Sequence, residues 1–296
     1  MKSKKSVFVL LIVIMVIMMG VIIYSLNFNN SKKNNVEKKV VAVTIVPEQA
    51  FVEAVCGDLA DVVVMVPPGS SPENYEPTSQ QMVDLSKAEV YFSIGVPTEK
   101  SNILPKVNDL ASNIDVISLN DEVSKVYADR TFDSGERDPH VWLSPKRVIV
   151  MINTIAEKMG GIDPENKEVY ESNAKEYIEK LEKLDLNMKK ALENVTNPKF
   201  IVYHPAFGYL ADDYGLTMYA LEEEGKEATA ESLKEKINIA KSENIKTIFY
   251  QAEIDSEQAK SFANEIGGKT TKLEPLSKNY IENLQNMINL IVEVME

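Results

Sequence analysis

The sequence predicts an α/β protein: two α/β lobes with mostly parallel sheets, joined by one long rigid helix and preceded by an N-terminal membrane helix. Three observations predict it. Short β-branched runs alternate with stretches of helical spacing, first from Val40 to Leu119 and again from Phe200 to Leu273. The segment Asn166–Val195 between them repeats apolar residues at steps of three and four. The run Val7–Leu26 is uncharged and almost wholly apolar.

At ~1.5 Å per residue, Val7–Leu26 spans roughly the hydrocarbon core of a bilayer. Lys2, Lys4 and Lys5 precede it. It exceeds the ~7–15 residue apolar core of a cleaved signal, and neither a small-x-small cleavage site nor a cysteine directly follows it. The expectation is an uncleaved anchor, with the N-terminus inside and the remainder extracytoplasmic at the cell membrane. Asn27–Glu37 is a polar linker, so residues 1–39 are set apart from the folded part.

The first lobe is placed at 40–164. Its strands are read at Val40–Ile45, Val62–Val66, Val90–Ile94 and Val116–Leu119, with helices at Pro47–Gly57 and Ser79–Lys87. The linking helix falls within 165–196. It lacks Pro and Gly, would run roughly 45 Å at ~1.5 Å per residue, and stops at Thr196-Asn197-Pro198. A spine of that length limits hinge motion between lobes. The second lobe, 197–296, has strands at Phe200–Tyr203, Leu216–Leu221, Thr247–Tyr250 and Thr270–Leu273. Its helices are read at Phe207–Tyr214, Ala230–Glu243, Ser256–Gly267 and Asn279–Met295.

Composition narrows the function. Lys+Arg 32 against Asp+Glu 45 gives −13, and without residues 1–39 the net charge is −19. That balance argues against nucleic-acid binding, which needs a basic face, and suits cation handling or plain solubility. The single cysteine, Cys56, excludes an intramolecular disulfide and a cysteine-based zinc knuckle, and reads as a small buried hydrophobe.

Any histidine chemistry must pass through His140 and His204, the two histidines of the chain. His140 lies in Asp138-Pro139-His140-Val141-Trp142-Leu143-Ser144-Pro145. Pro139 fixes the backbone before it, and Asp138 is placed to orient the ring or the turn. Ser144 and Pro145 open a helix as N-cap and first position. His204 sits where a strand ends and a helix begins, the place where sites form in open α/β sheets. A satisfied structural side chain is the competing reading for one histidine. Two of them, each at such a junction in a different lobe, point to a shared interlobe site. Two more segments follow strands and carry acids: Pro67–Thr78, with Glu73 and Glu76, and Leu273–Leu276, with Glu274. A solvated loop carboxylate is the competing reading for each acid.

These four segments resemble, in order, those of the zinc/manganese substrate-binding proteins of ABC importers. The resemblance rests on PPG-SSPENYEPTSQQM, DPHVWLSP, YHPAFGYLADDYGL, EEEGKEATAESL and LEPLSKNYIENL, and covers roughly Val40 to Glu296. It implies two α/β lobes on one rigid helix, one divalent ion captured between them, and delivery to a permease driven by an ATPase, with no catalysis. It carries the ligand set over to Glu73, His140, His204 and Glu274. Glu73 stands where the family commonly has histidine in its P-H-x-Y-E-P stretch. Glu76 belongs to the Y-E-P pattern and positions the loop. The His-rich loop of many zinc members is absent from Asp121–Asp138. The expected cargo is zinc or manganese, with Fe²⁺ also admissible, because imidazole suits all three and added oxygen shifts a site toward manganese or iron. The expected partners are the permease, its ATPase and the membrane, and the expected state is a monomer. Two alternatives stay open: an anchored metalloenzyme using two histidines and a carboxylate, and a divergent receptor for another small ligand.

Overall fold

The computed structural model describes residues 15, 17–20, 38–110, 114–222, 228–254 and 257–295. The expected membrane run and polar linker lie outside the described residues, apart from Met15 and Ile17–Gly20, which are helical. Among the described residues no helix is long and apolar enough to cross a membrane. Lys39–Glu296 forms one compact unit.

Each expected run became a strand; valine and isoleucine, where they occur, favour the extended pleat. In the first half β1 (Lys39–Val43), β2 (Ala60–Val64), β3 (Val90–Ser93) and β4 (Asp115–Ser118) form a parallel sheet in the order β2-β1-β3-β4. In the second half β5 (Lys199–Val202), β6 (Thr217–Ala220), β7 (Thr247–Gln251) and β8 (Lys269–Leu273) repeat that topology as β6-β5-β7-β8. Strand order therefore reverses beside β1 and beside β5. Ligands of such sheets bind at the carboxyl ends of the strands at those reversals.

Helices α1 (Val46–Cys56), α2 (Ser79–Leu85), α3 (Leu104–Leu110), α4 (Leu119–Ser124) and α5 (Pro145–Ile162) belong to the first half. Of these, α3 and α4 escaped the sequence reading; each is a single turn or two, too short to show a period. Ser144 is the N-cap of α5 as expected, but its side chain does not cap. Its hydroxyl donates instead to Asp213 Oδ2 at 2.5 Å.

The spine is α6 (Lys167–Leu192), 26 residues long. It buries Tyr170, Ala174, Leu181, Leu184 and Met188, one stripe at helical spacing, against α1, α5 and the last helix. Each large side chain so buried stabilises by roughly 1.5–3 kcal/mol. Two polar ties hold it to both halves: Asn173 Nδ2 donates to Val55 O at 3.0 Å, and Tyr214 Oη donates to Asp185 Oδ1 at 2.7 Å. In the second half follow α7 (Gly208–Tyr214), α8 (Ala230–Ser242), α9 (Glu257–Glu265) and α10 (Tyr280–Glu293). Helix α10 returns to the first half, where Tyr280 meets Phe51 edge-on with centroids 4.9 Å apart. The main apolar cluster runs from Val41 through the spine to Ile291, so packing couples the halves. Cys56 is buried in it, and burial pushes its thiol up to about 12.

Candidate metal centre

Three of the four residues expected to bind metal converge. One ligand atom from each of Glu73, His140 and His204 lies within 4.8 Å of the others. His140 Nε2 and His204 Nε2 are 3.2 Å apart, and Glu73 Oε1 is 3.6 Å from His204 Nε2. Both imidazoles are buried and Glu73 is half-buried. They line a cavity of about 320 Å³ with Gly95, Pro97 and Pro139, and the exposed pair Lys100–Glu136 (3.5 Å) also borders it.

Local chemistry aims each ring. Asp138, wholly buried, accepts from the His140 backbone N–H at 2.9 Å and from its Nδ1 at 2.8 Å, so one carboxylate fixes both the turn and the ring. His204 Nδ1 donates to Glu222. Carboxylates only accept, so each Nδ1 carries its hydrogen and each Nε2 presents a lone pair. Two such lone pairs 3.2 Å apart repel unless a proton or a cation lies between them.

Glu222 went unread in the sequence because it opens an acidic run, Glu222-Glu223-Glu224, in which no member stands out. The signal was in the register. Val202 of β5 pairs with Ala220 of β6, and two residues on, His204 faces Glu222. The Glu222 backbone N–H, donating to Tyr203 O at 3.0 Å, extends that pairing.

The structure places Glu274 apart from the other three. Its side chain is exposed and its Oε1 sits 2.7 Å from Lys272 Nζ. Residues two apart on a strand share a face, so Lys272 and Glu274 at the end of β8 meet naturally. Its backbone is still close to the site's support: Pro275 O accepts from Trp142 Nε1 at 3.0 Å. Trp142, wholly buried, stacks at a tilt on His140 with centroids 5.0 Å apart.

The Asp138 loop is bolted to the second half. Tyr209 Oη donates to Asp138 O at 3.1 Å and accepts from Arg130 N–H at 2.9 Å; Arg130 Nη1 spans both oxygens of Asp212 at 2.9 and 2.8 Å. Arg130 Nε lies 3.4 Å from Asp138 Oδ2. Gly208 makes this approach possible, because a Cβ there would stand 2.7 Å from Arg130 Cδ and 2.8 Å from Asp138 Oδ2. Gly208→Ala is therefore expected to destabilise the protein by about 1–3 kcal/mol, the usual cost of overpacking, read as a lower urea midpoint. An unchanged midpoint would mean that Arg130 swings away freely.

Comparison with known proteins agrees with this frame. The chain matches the family model for the periplasmic zinc-uptake complex component A over residues 41–294. It is 32% identical over 270 residues to the high-affinity zinc uptake system protein ZnuA of Bacillus subtilis, covering 84% of each chain. It is 30% identical to the zinc-binding lipoprotein AdcA of Streptococcus pneumoniae, covering 90% of this chain but 56% of AdcA, so it spans little more than half of that relative. A crystal structure of ZnuA superposes with a TM-score of 0.82 at 33% identity, covering 88% of this chain and all of that one. The chain belongs to the ZnuA family of zinc-uptake complex components.

Proposed function

We propose that this chain captures one divalent metal ion, zinc foremost, on Glu73, His140 and His204, and hands it to an ABC permease powered by an ATPase. The family is one of metal-binding transport components, not of enzymes. The observation that carries the reading is the facing pair of Nε2 lone pairs. In a tetrahedral zinc site with bonds of ~2.0–2.1 Å, neighbouring nitrogens stand about 3.3 Å apart. The 3.2 Å between the two rings and the 3.6 Å to Glu73 match that spacing before any side chain moves. Two imidazoles and one carboxylate favour zinc over manganese, which prefers more oxygen, and affinity order points the same way. The remaining position of a four-coordinate ion faces the cavity, open to water and to exchange. The apolar run Val7–Leu26 would keep the capture unit at the membrane beside its permease and raise its effective concentration there.

The test is titration of the metal-stripped protein with Zn²⁺ and Mn²⁺ against a chelator of known affinity. One Zn²⁺ per chain, held more tightly than Mn²⁺, is expected. No saturable binding would remove the metal reading and leave a receptor for another small ligand. The carboxylates behind the rings supply a second prediction. Asp138→Asn and Glu222→Gln should each weaken zinc binding by ~10–100-fold, the usual effect of losing the partner that orients a ligating histidine. Affinities within twofold of the unmutated protein would show that packing alone aims the rings.

A further inference from the structure

The reversal point of the first sheet, between β1 and β3, is filled by the protein itself. There the strand ends meet four buried polar side chains: Thr44, Glu48, Tyr91 and Glu99. Glu48 Oε2 accepts from the backbone N–H groups of Thr44 and Ile45 at 3.0 and 2.9 Å. Glu99 accepts from Ile94 N–H at 2.8 Å, from Gly95 N–H at 2.6 Å and from the Thr44 hydroxyl, which also meets Tyr91 Oη at 2.7 Å. Neither carboxylate touches Glu73, His140 or His204, and the metal-binding reading makes no use of them.

The hydrogen bonds leaving this cluster lead to the metal centre. Glu99 closes the turn Ile94–Thr98, in which Gly95 takes φ +86° and lines the cavity. Thr98, at the end of that turn, donates its backbone N–H to Pro72 O at 3.1 Å and its hydroxyl to Tyr75 O at 3.0 Å. Asn102, one helical turn on, donates to the same Tyr75 O at 2.9 Å. Pro72 and Tyr75 flank Glu73. Both carbonyls that bracket the carboxylate ligand are thus held by the element that Glu99 anchors.

We propose that Glu99 is a positioning residue for metal capture: it fixes the Ile94–Thr98 turn so that Thr98 and Asn102 hold the Pro72–Tyr75 segment and Glu73 at the cavity. The inference rests on Glu73 being a ligand of the captured ion. Burying a carboxylate is costly unless donors surround it, and here the donors are two backbone amides and a hydroxyl. Only a carboxylate serves both amides, since each of its oxygens accepts. A glutamine would turn an NH₂ toward one donor.

The test is a double-mutant cycle on the full-length protein in detergent, with Zn²⁺ alone as probe and a competing chelator as readout. Glu99→Gln is expected to weaken binding about tenfold, the scale of an outer partner of a metal ligand. In the Glu73→Gln background it should cost nothing further, because the residue through which Glu99 acts is already gone. Full additivity, or an unchanged affinity in Glu99→Gln, would overturn the proposal while leaving capture on Glu73, His140 and His204 intact. Failure of the unmutated chain to bind Zn²⁺ would overturn the functional reading and this inference with it. If Glu99→Gln does not accumulate folded, Asn102→Ala, which cuts one link to Tyr75 O, enters the same cycle with the same expectations.

Discussion

His204→Ala should lower zinc affinity by more than two orders of magnitude, beyond the ~10–100-fold expected for outer partners. The reason is the donor count. Three side chains converge, and removing one leaves His140 and Glu73 with two positions to be filled by water. Alanine also leaves Glu222, buried against His204 Nδ1, without its donor, an unpaired carboxylate inside the protein. His204→Ala should therefore lower the melting temperature of the metal-free protein as well. His204→Gln keeps a polar group in place and should lose the metal while recovering part of the stability. Glu274→Gln is the matched control. Its carboxylate faces Lys272 and solvent, so affinity should stay within about twofold. Chelator competition checks all three variants. A loss of affinity in Glu274→Gln comparable to that in His204→Ala would mean that the β8 end turns inward when the ion binds, restoring the ligand set that the family resemblance implied.

What could be read from the sequence follows from how local each cause is. All eight strands were legible as short runs of β-branched and aromatic residues, the clearest being Val62–Val66, which a turn signal ends at Pro67-Pro68-Gly69. The spine was legible because an apolar stripe kept its period through Tyr170, Leu181 and Met188 without a breaker. His140 and His204 stood out by scarcity, and Asp138 by lying two residues from the ring it holds. Glu222 depended on a strand register, and Glu48 and Glu99 on burial at strand ends that only the folded sheet brings together, so nothing marked them among 45 acids. For Glu274 a motif position implied a ligand, while in the structure a lysine two residues earlier on the same face is its partner.

The metal-free protein should lose stability as pH rises from about 4.5 toward about 7, because of Glu99. Burial, the largest cause, pushes its carboxyl from 4.5 up to about 7, against three hydrogen bonds and Lys100 that pull it down. Burial, the largest cause, and the neighbouring Glu99 carboxylate raise Glu48 well above its ordinary range, against the two backbone N–H groups that donate to it. Tyr91, buried against both, is raised too and stays neutral. Below 4.5 Glu99 is protonated whether the chain is folded or not, and its burial is then least costly. Between 4.5 and 7 the unfolded chain releases that proton and the folded chain holds it, so the folded state binds more protons and stability falls with pH. Above 7 both states are ionised and the slope from this group vanishes. At ~1.36 kcal/mol per pH unit the difference is on the order of 3 kcal/mol. Surface carboxylates held low by lysine or arginine partners, such as Asp84 and Asp121, tilt the curve the other way, so the comparison must be with Glu99→Gln. The variant loses one acceptor at every pH, a constant offset, and the titration disappears. Urea midpoints from pH 5 to 8 in the presence of chelator should therefore converge, the unmutated protein falling toward the variant as pH rises. Parallel curves would show that Glu99 is ionised at all these values, its three donors outweighing burial.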